Sequence, residues 1–183
     1  MSKIFVTGAT GLIGTKLTKR LIEEGHDVAG FTTSENGKEK LESSNVKAYI
    51  GDILKYDTID SAIADFRPEI IINQITDLKN VDMSANTKVR VEGSKNLIDA
   101  AQKYDVKKVI AQSIGFVYEA GEGLATEETS LDLDSTGDRK ITVDGVIGLE
   151  EETSRMDEYV VLRFGWLYGP GTWYGKDGMI YNQ

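Results

Sequence analysis

The chain has 183 residues, a formal net charge of −9, no cysteine and one histidine, His26. Disulfides, thiolate metal sites, cysteine nucleophiles and any triad or metal cluster built on several histidines are therefore excluded. The acidic balance argues against a nucleic-acid partner, whose phosphates need clustered Lys and Arg. No stretch approaches the roughly 20 apolar residues that span a bilayer, and the first strand begins too early for a signal peptide. The expectation is one cytoplasmic domain, 1–183, with neither nucleic acid nor membrane as partner.

In chain order, Ile4, Phe5 and Val6 read as a buried strand that ends at Gly8. Gly11 and Gly14 follow at three-residue steps, and Ile13, Leu17 and Leu21 mark a helix with one buried stripe, ended by Gly25. Asp27 to Thr33 is strand two, Lys38 to Ser43 a short helix, and Val46 to Ile50 strand three, closed by Gly51 and Asp52. Asp57 is placed to cap a helix carrying Ile59, Ala62, Ile63 and Phe66 on one face, with Pro68 at its end. Ile70 to Ile72 is a continuous apolar run, the mark of a parallel strand covered on both faces. A long helix over 84–104 follows, then strand five at 109–112, an aperiodic segment at 119–140, helix over 143–155 and strand six at 159–164. This alternation predicts right-handed β-α-β units in a parallel, doubly wound α/β sheet.

The glycine turn carries the chemistry. Between a buried strand and a helix start, Gly8, Gly11 and Gly14 permit a tight turn and close approach of backbone to a diphosphate. The free N–H groups and positive dipole end of the helix would face the phosphates. The spacing is Gly-x-x-Gly-x-x-Gly rather than Gly-x-Gly-x-x-Gly.

Four blocks resemble the extended or atypical short-chain dehydrogenase/reductases, the NAD(P)-dependent epimerases, dehydratases and related reductases. They are Thr7 to Gly14, Gly51-Asp52-Ile53, Arg90 to Leu97, and Leu162 to Gly171. The resemblance implies a three-layer α/β/α Rossmann-type fold that lacks most of the family's C-terminal substrate segment, with residues 165–183 as the start of that region. It also implies that Gly8, Thr10, Gly11, Leu12, Ile13 and Gly14 hold the coenzyme diphosphate, and that Asp52 accepts from the adenine amino group beside Ile53. Asn73, Gln74 and Ile75 would border the adenosine ribose and the route to the nicotinamide. All lie at the carboxyl ends of strands, where open parallel sheets bind ligands. At the end of strand two, Thr33, Ser34 and Lys38 incline the reading to NADP over NAD, while Glu35 could serve as a late NAD-selecting carboxylate.

The proton-transfer set of catalytic relatives is missing. There a tyrosine acts as general acid/base with a lysine four residues on, on the same helical face. Of the 8 tyrosines, only Tyr104 with Lys108 has that spacing, at the wrong edge of the sheet. The helix where the pair belongs reads Thr142 to Glu151 and contains neither. Ile114 occupies the position of the orienting hydroxyl, leaving Ser113, Tyr118 and Tyr168 as the catalytic candidates, with Tyr174 a further pocket member. Arg163 reads as a structural strand residue. The segment from Glu119 to Asp138 is an acidic loop that reads first as a solvated surface loop, and as a lid would suit a neutral or cationic small molecule better than a nucleotide sugar. Relatives continue beyond the Tyr-Gly-Pro-Gly loop, so the substrate side is expected to be truncated, open or completed by a partner. An edge left uncovered there would favour a homodimer. Two functions follow: an enzyme of epimerase/dehydratase or reductase type with an altered site, or a non-catalytic NAD(P)-binding sensor or regulatory module.

Overall fold

Phe5, Val6 and Ile71 lie at the buried centre of a sheet whose strands all run parallel. A computed structural model describes residues 1–77, 82–176, 178 and 180. In chain order the elements are β1 (Lys3–Thr7), α1 (Leu12–Glu23), β2 (Asp27–Thr32), α2 (Glu35–Glu42), β3 (Lys47–Ile50), α3 (Tyr56–Phe66) and β4 (Ile70–Asn73). Then come α4 (Met83–Lys88), a π turn (Val89–Gly93), α5 (Ser94–Lys103), β5 (Lys108–Ile114), a 3-10 turn (Gly115–Val117), α6 (Gly137–Thr153) and β6 (Tyr159–Phe164). The strand order β3-β2-β1-β4-β5-β6 is the doubly wound Rossmann order, with the reversal between β1 and β4.

Alternation along each strand divides the core between the two faces. Ile4, Val6, Val28 and Ile72 meet Leu17 and Leu21 of α1 and Leu41 of α2. On the opposite face Phe5, Phe31, Ile71 and Val109 meet Ile59, Ile63 and Phe66 of α3 and Leu97, Ile98 and Ala101 of α5. A smaller cluster of Val117, Val143 and Val146 seats α6 beside the end of β5.

Several element boundaries differ from the sequence reading, each for a local reason. Helix α2 starts at Glu35, because the Ser34 side-chain oxygen accepts from the Gly37 amide and caps it. Asp57 is not the cap of α3; Lys55 holds that position, and Asp57 lies in the first turn, where its charge complements the helix dipole. Helix α6 begins at Gly137, shortening the aperiodic segment, and β5 runs on to Ile114 through pairing with β6. The long helix before β5 is helical throughout, but the π turn interrupts its α-helical winding at Val89–Gly93.

Candidate functional site

The glycine turn is forced by its surroundings. Gly8 has φ +65°, and a Cβ there would stand 2.5 Å from the Gln74 carbonyl oxygen; at Gly14 a Cβ would stand 2.2 Å from the Gly8 carbonyl oxygen. The chain from β1 thus touches the end of β4 on one side and the first turn of α1 on the other, with no room for a side chain at either contact. Gly11 differs: its φ of −74° suits any residue, and a Cβ there meets only the Gly8 oxygen at 3.2 Å. Its N–H donates to Gly8 (3.0 Å), and no side chain caps the helix it opens. The N–H groups of Leu12, Ile13 and Gly14 consequently have no acceptor among the described residues.

These groups face a pocket of about 470 Å³, bounded by Gly8, the first turn of α1, the end of β4 at Gln74 and Thr76, and the loop after β6. Gln112 and Ile114 of β5 and Arg90 of the π turn also line it. Its far wall is aromatic. Phe116 and Trp166 stack with centroids 4.3 Å apart, and Tyr174 packs edge-on against Trp166 at 5.5 Å. Among the described residues no Asp or Glu lines this pocket, although the chain as a whole carries −9.

Of the predicted coenzyme residues, Gly8, Gly11, Leu12, Ile13, Gly14 and Gln74 meet in the pocket. Thr10 turns to the opposite side, beside Thr18 and Leu41. Thr33 and Ser34 are exposed at the end of β2, clear of the pocket lining. Asp52 closes a local turn, its carboxylate accepting from the Leu54 amide (3.0 Å), and Ile53 is buried against Gly93. Asn73 is committed to the interior: its Oδ1 accepts from the Thr7 hydroxyl (2.7 Å) and the Ile75 amide, and its Nδ2 donates to Ser94. That set of bonds locks the end of β4 and positions Gln74.

The catalytic candidates do not line this pocket. Ser113 is fully buried on the α6 face of the sheet and donates to Glu150 at 2.6 Å. The same carboxylate takes two N–H bonds from Arg163, at 2.9 and 2.6 Å, and Arg163 also donates to the Tyr118 hydroxyl. The Glu150 carboxylate and the Tyr118 hydroxyl hold the Arg163 guanidinium in its charged form against the penalty of burial. The network pins α6 to β5 and β6 through Arg163, which the sequence analysis reads as a structural strand residue. It borders a separate groove of about 900 Å³ along the outer side of β6, shared with Thr126, Glu127 and Glu151. Tyr168 is 87% exposed. Along the helix where catalytic relatives would carry the tyrosine and lysine, Val143 and Val146 are buried apolar residues. Tyr174 is the tyrosine that does line the pocket. Tyr104, the member of the accidental Tyr–Lys spacing, donates to Asp60 on α3.

The sequence reading missed Arg90 as a pocket residue; within a helical stretch, a lone arginine reads as solvated. It also missed the Phe116–Trp166 wall, because Trp166 comes from the loop after β6 and meets Phe116 only through β5–β6 pairing. Among the described residues no group of acids or histidines could hold a metal ion, and no helix is long and apolar enough to cross a membrane.

Known proteins resemble the chain along most of its length. It is 30% identical over 185 residues to the 3-diazoavenalumate denitrifying reductase of a Streptomyces species, covering 96% of this chain and 60% of that protein. It is 26% identical to the decarboxylating sterol-4-alpha-carboxylate 3-dehydrogenase of Schizosaccharomyces pombe, covering 98% of this chain and 54% of that one. Among solved structures, the Bordetella bronchiseptica enzyme WbmH in complex with NAD+ superposes with a TM-score of 0.78 at 21% identity, covering 93% of this chain and 57% of WbmH. The chain therefore spans little more than half the length of these relatives. The NAD dependent epimerase/dehydratase family matches residues 4–181, and with the Rossmann strand order, the forced glycine turn and the acid-free pocket already in place, the chain belongs to that family.

Proposed function

We propose that the chain binds NAD(P) along the carboxyl ends of β1, β2 and β4, with the diphosphate at the first turn of α1. The observation that carries this is the set of free N–H groups at Leu12, Ile13 and Gly14 facing a pocket without acids. The residues present fit the group. Gly11 lines the pocket with no side chain where the diphosphate would lie, and the aromatic wall at Phe116 and Trp166 offers an apolar end for a planar ring. Adenosine would extend toward Asp52 and the exposed Thr33 and Ser34. When bound, the coenzyme supplies hydride transfer. This chain's residues bind it, orient it and shield one side of it from water.

NADP is the better fit at the end of β2. Two exposed hydroxyls, Thr33 and Ser34, stand at the start of α2 with Lys38 one turn further on, and the last residue of the strand itself is Thr32 rather than an acid.

For the reaction we infer an epimerase/dehydratase- or reductase-like protein acting on an unidentified small molecule without the usual Tyr–Lys pair. Among the described residues Tyr174 is then the tyrosine that lines the pocket. The alternative, a non-catalytic NAD(P)-binding sensor, has its own support: residues 142–151 of α6 include neither tyrosine nor lysine, and Ser113 is bound to Glu150. The exposed apolar side chains of β6, Tyr159, Val160 and Leu162, support self-association as a homodimer.

Calorimetric titration with NAD+, NADP+ and their reduced forms tests the binding reading. Saturable binding with the tighter constant for the NADP pair is expected; no heat from any of them at millimolar concentration would refute it. Turnover across a panel of carbonyl substrates separates the two functions. The enzyme reading requires coenzyme-dependent reduction that falls at least ten-fold in Tyr174→Phe, whereas a sensor binds coenzyme and turns over none of them.

A further inference from the structure

Among the described residues Arg90 is the only cationic side chain lining the pocket at the first turn of α1, and it is 4% exposed. Its Nε is sealed from solvent without an acceptor, and none of its N–H groups enters a hydrogen bond among the described residues. The one charge it feels is that of Glu150, which is already bound by Arg163 and Ser113. Burial without a partner disfavours its charged form. Gln74 is in a similar position across the end of β4. It is 8% exposed, lines the same pocket, and its Oε1 is buried without a partner. A carboxamide can present either its oxygen or its N–H₂ to a ligand. The two side chains do not bond to each other.

Structural packing does not account for this. Buried guanidinium groups are normally paired, and this one sits in the π turn, where the α-helical ladder is interrupted; such turns are frequent at functional sites. It shares its pocket with the positive end of α1 and with no acid. In a protein of net charge −9, that makes the pocket a local concentration of positive potential.

We propose that Arg90, with the amide of Gln74, is an oxyanion-binding site in the pocket wall, taking a phosphate or carboxylate of a bound ligand. Two sources carry that chemistry: the diphosphate of the coenzyme, clamped between Arg90 and the first turn of α1, or a carboxylate on the substrate. The first source rests on the NAD(P) reading; the second needs only the pocket.

The test compares wild type, Arg90→Gln and Arg90→Lys for binding of ADP, NAD+ and, at saturating NAD+, benzoate. Binding is read by calorimetry and by fluorescence of Trp166 and Trp173, which line the same pocket. A loss of ten-fold or more for ADP and NAD+ alike in Arg90→Gln, partly restored in Arg90→Lys, assigns the site to the diphosphate. The same loss for benzoate alone assigns it to a carboxylate. Because the variant removes an unpaired buried charge, its ligand-free melting temperature is expected to equal or exceed that of wild type. Unchanged constants for all three probes would overturn the proposal while leaving coenzyme binding intact. So would a loss of affinity that tracks a lowered melting temperature without rescue by lysine. Failure of wild-type protein to bind ADP and NAD+ would instead refute the coenzyme reading; benzoate titrated without coenzyme then tests Arg90, and equal affinity in wild type and Arg90→Gln, or no binding to either, overturns the proposal.

Discussion

At Gly11 the backbone would accept a side chain, but the pocket would not accept a charged one. Its φ of −74° is ordinary and a Cβ there meets only the Gly8 oxygen, at a tight 3.2 Å that a shift of a few tenths of an ångström relieves, so Gly11→Asp should fold. Its carboxylate would lie against the diphosphate and compete for the N–H groups at Leu12 and Ile13. We expect Gly11→Asp to keep its melting temperature within a few degrees of wild type and to lose at least 100-fold in NAD(P) affinity, about 3 kcal/mol. Circular dichroism and titration on the same sample check both halves. By contrast, the same change at Gly14 would drive a Cβ into the Gly8 carbonyl and unfold the turn. The distinction among the three glycines was not legible in the sequence. Their spacing identified the turn, but which one opens to a ligand depends on the contacts of β1 with β4 and α1.

Elements were legible where period and punctuation agreed. The run Ile70 to Ile72 reads as a doubly covered strand and is one, and Ile59, Ala62, Ile63 and Phe66 form the buried face of α3. What could not be read was how elements are tied to one another. Asp60 on α3 accepts from Tyr56 of its own helix, and from Lys103 (2.8 Å) and Tyr104 (3.2 Å) at the end of α5. No local pattern announces a bond spanning 43 residues. The Lys103 ammonium holds the Asp60 carboxyl below its ordinary range. A carboxyl lowered in the folded state stabilises above its unfolded pKa, near 3.9, and that contribution disappears as pH falls through the folded value. Asp60→Asn should therefore cost about 1 kcal/mol at pH 7, and the gap from wild type should narrow in acid, once pH falls below the unfolded value and through the lowered folded one. Urea midpoints at pH 7 and in acid measure it; a gap that persists in acid would mean the loss is one of packing. The same limit applied at the site. Ser113, Glu150 and Arg163 form one network across β5, α6 and β6, and Arg90 is turned into the pocket by a π turn that interrupts the predicted helix.

For the whole molecule, the parallel, doubly wound sheet was legible from the alternation of elements and right-handed crossovers, whereas the order of its strands comes from the structure. The chemistry of the substrate side was less legible because it is assembled from distant loops. Phe116, Trp166 and Tyr174 converge from the end of β5 and the segment after β6, and relatives extend well beyond the length matched here. The coenzyme half, by contrast, depends on residues close in sequence around one turn. The claim on which the functional reading rests is accordingly local: the diphosphate sits on the uncapped first turn of α1. A crystal structure with NADP+ or NAD+ measures this most directly. Phosphate oxygens within hydrogen-bond distance of the Leu12 and Ile13 amides are predicted, with the adenosine directed toward Thr33, Ser34 and Asp52. Clear coenzyme density elsewhere, with those amides bonded only to water, would contradict the account.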